Sequence, residues 1–73
     1  MYLGIDTHTE YSQVAVVDAD GTLLEELRLP NDRLGDLAEQ YAGEEAAIEA
    51  TGHYRPIYDR LDEHLDVTLV DPG

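Results

Sequence analysis

The chain has 73 residues, of which 17 are acidic and four are arginine, with no lysine, so the formal net charge is −13. This length allows one small domain, and the absence of cysteine excludes a disulfide framework and a thiolate metal site. No apolar run is long enough to cross a membrane, and no signal-peptide pattern is present. We therefore expect a cytoplasmic protein with no membrane partner.

The charge also bears on nucleic acid as a partner. A net charge of −13 repels a phosphate backbone at ordinary salt, which argues against nucleic-acid binding. In molar salt the Debye length falls to about 3 Å, and repulsion between surface carboxylates is largely screened. An acidic surface without lysine is then what a halophilic protein would carry. The hydrophobic fraction of 42% and the clear periodicity argue against disorder.

The first third of the chain predicts three strands, at residues 2–6, 12–17 and 22–29. Residues 2–6 form a short apolar run without alternation, which is typical of a strand that is buried on both faces. Residues 18–20 lead to Gly21, whose tolerance of positive φ suits a hairpin turn. In the third strand, alternation places one set of leucines on a single face: Leu23, Leu27 and Leu29. Glu26 and Arg28 lie on the other face, where Leu24 interrupts the polar pattern.

An amphipathic helix is predicted next, with Asn31 or Asp32 as its N-cap and Gly43 as a left-handed C-cap. Its apolar stripe follows the i, i+3, i+4, i+7 spacing and consists of Leu34, Leu37, Ala38 and Tyr41. A fourth strand at residues 45–50 follows.

A second helix is predicted after Thr51 and Gly52, and a fifth strand at residues 66–70 precedes the final Asp-Pro-Gly turn. The inner face of that helix is predicted to be Ile57, Tyr58, Leu61 and Leu65. The order is β-β-β-α-β-α-β, an α/β pattern in which each strand–helix–strand unit makes a right-handed crossover to a parallel neighbour.

Two of the predicted strands end on a carboxylate. Asp6 closes the first strand, and Glu49 lies near the end of the fourth. If these strands are parallel neighbours, the two carboxylates emerge about 5 Å apart, where they repel each other and a shared divalent cation is the usual remedy. The alternative is that both are solvated acids at strand ends of a very acidic protein, and spacing alone leaves both interpretations open.

Three stretches carry a resemblance to a known family: Gly4-Ile5-Asp6-Thr7-His8, the hairpin at residues 14–21, and Ile48-Glu49-Ala50-Thr51-Gly52 with Tyr54, Ile57 and Tyr58 after it. Together they resemble the N-terminal end of the DEDD transposases of bacterial and archaeal insertion sequences. These are bridge-RNA-guided enzymes with a RuvC-like domain followed by a serine-bearing domain. The likeness covers nearly all of the chain, although Thr9 stands where family members commonly carry a lysine.

The resemblance implies a ribonuclease-H-like (RuvC-like) mixed sheet of order 3-2-1-4-5, with residues 1–73 as a partial domain truncated after the fifth strand. It makes Asp6 the first acid and Glu49 the second of a four-carboxylate set that holds Mg²⁺ or Mn²⁺ for phosphodiester chemistry. The family's two later aspartates lie beyond this chain's end, and so does the serine-bearing domain. The implied function is DNA transposition, with DNA and a guide RNA as partners of the complete protein, and a homo-oligomer is compatible with it. We expect the isolated chain to be inactive.

Several other side chains are weaker candidates. Asp71 could substitute for a missing metal ligand, but the favoured interpretation is that it opens the Asp-Pro-Gly turn. His53 could contact a phosphate. His8, His53 and His64 lack the spacing of a zinc site.

The remaining polar and aromatic residues have ordinary structural interpretations. Thr51 and Gly52 suit a helix cap and a tight turn, and Arg55 and Arg60 suit surface charge paired with Asp59, Asp62 or Glu63 rather than nucleic-acid contacts. Tyr11 and Tyr54 are the candidates for exposed stacking. The aromatic residues expected at the core or its edge are Tyr2, Tyr41 and Tyr58.

Two other classes of function remain open. The first subdomain of an actin-like sugar or acetate kinase also begins with a strand, an aspartate and a hairpin. That class needs a glycine-containing phosphate loop, and residues 6–10 here contain no glycine and include Glu10. A non-catalytic interaction module, or a regulator of a full-length transposase, is the third possibility.

Overall fold

The computed structural model of the chain describes residues 1–49 and 55–70, and all structural statements below concern those residues. They form the following elements in chain order: β1 (Tyr2–Thr7), β2 (Tyr11–Val17), β3 (Leu23–Pro30), a 3₁₀ turn η1 (Asn31–Arg33), α1 (Leu34–Gln40), β4 (Glu45–Glu49), α2 (Arg55–Asp62) and β5 (Asp66–Val70). None of the helices is long and apolar enough to cross a membrane.

The five strands form one mixed sheet in the order β3-β2-β1-β4-β5. β1, β2 and β3 pair antiparallel through short connections, whereas β4 is parallel to both β1 and β5. The predicted α/β architecture, element order and strand order are therefore confirmed. The crossover through α1 is what brings β4 next to β1, since the chain must pass over the meander to reach the free edge of β1.

Only one face of the sheet is covered by the described helices. Along β1, Leu3, Ile5 and Thr7 are buried, whereas Tyr2 and Asp6 are exposed. The buried strand residues join one core cluster with Leu34, Leu37, Ala38 and Leu61 of the helices. The prediction that β1 is buried on both faces is wrong, because α1 and α2 pack against the same side. We call the uncovered side the open face.

Tyr2 lies on the open face and is 40% exposed, so its prediction as a core or core-edge residue is wrong. The same prediction is confirmed for Tyr41 and Tyr58, which are half-buried and pack against the core cluster. The difference follows from position, since Tyr2 precedes a core residue in a strand and so points to the opposite side.

The leucine face of β3 is interrupted by an irregularity in its pairing with β2. Leu27 pairs with Val14 and Leu29 with Ser12, and both leucines are half-buried against the core. A register shift between Val16 and Val17 then pairs Leu23 with Val17. Leu23 is 54% exposed and does not join the other two leucines, which corrects the predicted alignment. One extra residue in a strand moves the side chains that precede it to the opposite face of the sheet.

The first helix begins without the predicted cap. Neither η1 nor α1 has a side-chain hydrogen bond at its N-terminus, so Asn31 and Asp32 do not cap it. The left-handed conformation predicted for Gly43 after this helix is confirmed, because its φ is +88°. In α2, Leu61 is buried and Ile57 and Tyr58 pack against the core, as predicted. Leu65 is buried as well but lies past the end of the helix.

The predicted β2–β3 turn is also confirmed. Gly21 has a φ of +85°, and the Asp18 carboxylate accepts hydrogen bonds from the backbone N–H groups of Asp20 (2.9 Å) and Thr22 (3.0 Å). The aspartate satisfies backbone donors that the turn would otherwise leave to solvent.

Candidate functional site

Asp6 and Glu49 lie on neighbouring parallel strands at the same edge of the sheet. The register pairs Ile5 of β1 with Ile48 of β4, and the two acids are the next residues on their strands. Ile5 and Ile48 are both buried in the core, so alternation turns both carboxylates to the open face. Adjacent strands are about 5 Å apart, which makes the two acids close neighbours. The predicted juxtaposition of their strands is thus present.

The donor set suits a weakly held hard cation rather than a complete metal cage. Among residues 1–49 and 55–70, no three histidine or acidic side chains are grouped closely enough to hold a metal ion. The candidate ligands are the carboxylates of Asp6 and Glu49, and both side chains are exposed. Mg²⁺ is commonly held by one or two carboxylates, with water and substrate phosphate completing its octahedron. Asp6 and Glu49 therefore fit the protein's share of such a site, with phosphate oxygens needed for the rest.

His8 lies beside Asp6 on the open face. Its Nε2 is 3.3 Å from Asp6 Oδ2, and both side chains are largely exposed. Sequence reasoning considered this histidine only as a zinc ligand and missed the contact. The strand pattern gave no signal for this contact, because His8 follows the end of β1.

The His8 ring continues into a second contact with Tyr11. The two rings are stacked with centroids 4.7 Å apart and planes 19° apart. The guanidinium carbon of Arg28 lies over the same tyrosine ring, 4.6 Å from its centroid. Tyr11, expected as an exposed stacking residue, is half-buried and is already in contact with both side chains. An unbroken series of contacts thus leads from the Asp6 carboxylate to the Arg28 guanidinium.

Asn31 fixes the loop between β1 and β2. Its Nδ2 donates to the backbone carbonyls of His8 (2.8 Å) and Thr9 (3.2 Å), and its own N–H donates to the carbonyl of Glu10 (3.0 Å). The buried Ser12 hydroxyl donates to Asn31 Oδ1 at 2.6 Å. Instead of capping a helix, Asn31 holds the loop that carries His8 in one conformation.

A cleft of about 270 Å³ lies between this loop and the start of α2, lined by His8, Thr9, Asn31, Asp32, Pro56, Ile57 and Arg60. Arg60 forms no ion pair with any described acid, contrary to the expected pairing with Asp59, Asp62 or Glu63. Its aliphatic stem instead approaches Gly35 of α1, where an added Cβ would meet Arg60 Cδ at 3.4 Å.

Several predicted site residues lie outside the described part of the chain: Thr51, Gly52, His53, Tyr54, Asp71 and the side chain of Arg55. His64 is half-buried, and its carbonyl accepts a hydrogen bond from the N–H of Gly43 at 2.8 Å, which ties the end of α2 to the turn before β4.

Comparison with known proteins adds no identification. No protein-family profile matches the chain, and no curated protein is significantly similar to it.

Proposed function

We propose that the chain is the N-terminal part of a DEDD insertion-sequence transposase, with a ribonuclease-H-like (RuvC-like) sheet. Asp6 and Glu49 are its first two metal-binding carboxylates. The observation that carries the proposal is the placement of these acids at the ends of β1 and β4, on one face of a sheet of order 3-2-1-4-5. The carboxyl ends of parallel strands are where open α/β sheets bind ligands.

The chain's own residues have limited and definable tasks in this proposal. Asp6 and Glu49 supply hard oxygen ligands. Asn31 fixes the β1–β2 loop, which begins two residues after Asp6. When bound, Mg²⁺ or Mn²⁺ supplies Lewis-acid stabilisation of a phosphodiester and activation of a nucleophile. The DNA substrate and a guide RNA are partners of the complete cytoplasmic protein within this proposal.

The acidity of the chain supports a high-salt setting for such a protein. At low salt, a net charge of −13 opposes the approach of DNA, and the carboxylates at the site add to that repulsion. Screening in molar salt removes most of the long-range term and leaves the short-range contacts of a metal bridge. Halophily and a nucleic-acid substrate are therefore parts of one proposal.

The direct test is the position of bound Mn²⁺, read from paramagnetic broadening of amide signals in nuclear magnetic resonance spectra of the folded chain. We expect sub-stoichiometric Mn²⁺ to broaden first the amides at the ends of β1 and β4, and this preference to disappear in Asp6→Asn and Glu49→Gln. Glu45→Gln is the matched control, because Glu45 is exposed on the same strand and face but at its other end. Broadening spread over the acidic surface, and equal in Glu45→Gln and Glu49→Gln, would refute the shared site.

A further inference from the structure

Arg28 forms no ion pair with any acid in the part of the chain that the structure describes. Within residues 1–49 and 55–70, the ion pairs join Met1 to Glu44, His8 to Asp6 and Arg33 to Asp36, and none involves Arg28. Among the same residues Arg60 forms none either, but it lies on α2, whereas Arg28 lies on the sheet. Its guanidinium is instead held over the half-buried ring of Tyr11.

The strand register places Arg28 in the same cross-strand row as the two carboxylates. Asp6 pairs with Gln13 on β2, and Gln13 pairs with Arg28 on β3, so all three lie on the open face. Two strand spacings separate the Cα atoms of Asp6 and Arg28, which is on the order of 10 Å. A long arginine side chain spans much of that distance.

The charges on the open face make this position distinctive. Arg33 lies on η1 and Arg60 on α2, so Arg28 is the one arginine that the described residues place on the open face. The acids Asp6, Glu26, Glu45, Glu49 and Asp66 share that face. Because Glu26 lies on β3 as well, Arg28 is a single local cation in an acidic surrounding, and an approaching anion is attracted only close to its guanidinium.

The contact with Tyr11 suits an anion-binding arginine. A guanidinium that is held over a ring keeps its N–H donors at its edge, and those donors match two phosphate oxygens at once. At an exposed site such a contact contributes only about 0.5–1 kcal/mol, so it orients the side chain rather than anchoring the fold.

We infer that Arg28 binds one phosphate of a nucleic-acid strand, and that the neighbouring phosphate binds the divalent cation at Asp6 and Glu49. Tyr11 is a positioning residue for the Arg28 side chain. The inference rests on the proposed function, since it takes the two carboxylates as the centre of the site. It adds a direction: the strand crosses the open face from β4 towards β3.

The test uses the full chain and a single-stranded thymidine tetranucleotide with Mg²⁺, followed by nuclear magnetic resonance at one fixed KCl concentration. We expect the side-chain Nε signal of Arg28 to shift on titration. Arg28→Gln should bind roughly tenfold more weakly, as expected for one lost charge-assisted contact. Arg33→Gln is the matched control with the same change of charge, and it should bind as the wild type does.

Two further variants separate positioning from folding. Tyr11→Leu should weaken binding less than Arg28→Gln does, and it should have little further effect in the Arg28→Gln background, since it acts through the arginine. Arg28→Lys should restore only part of the affinity, because it keeps the charge and loses the paired donors. Amide spectra of each variant establish that the fold is retained.

The inference is wrong if Arg28→Gln and Arg33→Gln bind the tetranucleotide equally well. If Mn²⁺ still broadens the ends of β1 and β4 in that case, the proposed metal site stands and only the assignment of Arg28 fails. If Mn²⁺ shows no preferred site while Arg28 still contacts the tetranucleotide, the phosphate contact is confirmed and the proposed function fails.

Discussion

The Ser12 hydroxyl donates a 2.6 Å hydrogen bond to Asn31 Oδ1, and this one contact joins β2 to the turn that precedes α1. Ser12 is fully buried, so its hydroxyl has no access to water. The amide group of Asn31 then donates to the carbonyls of His8 and Thr9. The conformation of the β1–β2 loop, and with it the position of His8 beside Asp6, depends on this pair.

Replacing Asn31 should therefore destabilise the fold. Asn31→Ala removes three side-chain hydrogen bonds and leaves a buried hydroxyl unsatisfied, which should lower the free energy of unfolding by about 1–3 kcal/mol in urea titrations. Ser12→Ala removes the hydroxyl itself and should cost less, and the double variant should be less destabilised than the sum of the two. Asp32→Ala is the control and should change stability by less than about 0.5 kcal/mol. Additive effects of Ser12→Ala and Asn31→Ala would contradict this account.

The role of Asn31 shows where sequence reasoning reached its limit. Helix-capping preference pointed to Asn31 or Asp32, since both precede the apolar stripe that starts at Leu34. The asparagine forms hydrogen bonds instead with a loop more than twenty residues earlier in the chain. Local propensity cannot reveal a partner that only tertiary structure brings near. The same limit applies to Arg28, whose contact with Tyr11 joins the adjacent strands β3 and β2.

The order of the elements was predictable from periodicity and turn residues, whereas the strand order comes from the family resemblance. Crossover handedness favours parallel neighbours without fixing that β4 lies beside β1, and alternation fixes which side each residue faces once the core side is known. The open face was not predictable from the short apolar run of β1, because Gly4 suits a covered face and an uncovered one equally, as does its neighbour Ala47 on β4. The register shift at Leu24 gave no signal in the composition of β3.

A second prediction concerns salt. The described residues form few ion pairs, so most carboxylates have no nearby cation and repel one another until they are screened. We expect Tm, followed by circular dichroism, to rise by about 4–8 °C or more between dilute buffer and molar KCl. For a domain of this size, that rise corresponds to a gain of about 1 kcal/mol in the free energy of unfolding.

The control for the salt prediction is a variant in which three exposed acids are neutralised by Asp32→Asn, Asp62→Asn and Glu63→Gln. It should be more stable than the wild type in dilute buffer and should gain less from KCl. A Tm that does not change with salt in the wild type would remove the halophilic interpretation.

Tyr41 provides a prediction at alkaline pH. Burial raises the pKa of its hydroxyl above the ordinary value of 10.0, and the negative charge of Glu25 and the 3.3 Å hydrogen bond to its carboxylate raise that pKa further. The folded state therefore keeps this proton at a pH where the unfolded state has lost it. The contribution to stability is complete below pH 10 and is lost as the pH rises towards the folded-state pKa.

Removing the hydroxyl should remove this part of the pH dependence. We expect the free energy of unfolding of Tyr41→Phe to decline less steeply above pH 10 than that of the wild type. Tyr58→Phe is the matched control for the loss of a tyrosine hydroxyl, since Tyr58 also packs against the core. Equal alkaline slopes in the wild type and Tyr41→Phe would show that the hydroxyl titrates alike in both states.

The last prediction concerns the effect on fold stability of the two carboxylates that define the candidate site. If Asp6 and Glu49 repel each other across β1 and β4, Glu49→Gln should raise the free energy of unfolding by roughly 0.5–2 kcal/mol in the absence of metal. Asp6→Asn should gain less, because the Asp6 carboxylate also contacts His8 Nε2 at 3.3 Å and the substitution weakens that contact. Millimolar Mg²⁺ or Mn²⁺ at constant ionic strength should stabilise the wild type and have much less effect on either variant, by mass action on a site present only in the folded state.

Glu45→Gln should respond to metal as the wild type does, and the double variant should be non-additive, since the two acids would act through one shared ion. Additive effects that do not depend on metal would mean that the two carboxylates act independently, and the metal site would then be wrong even though the strands are neighbours.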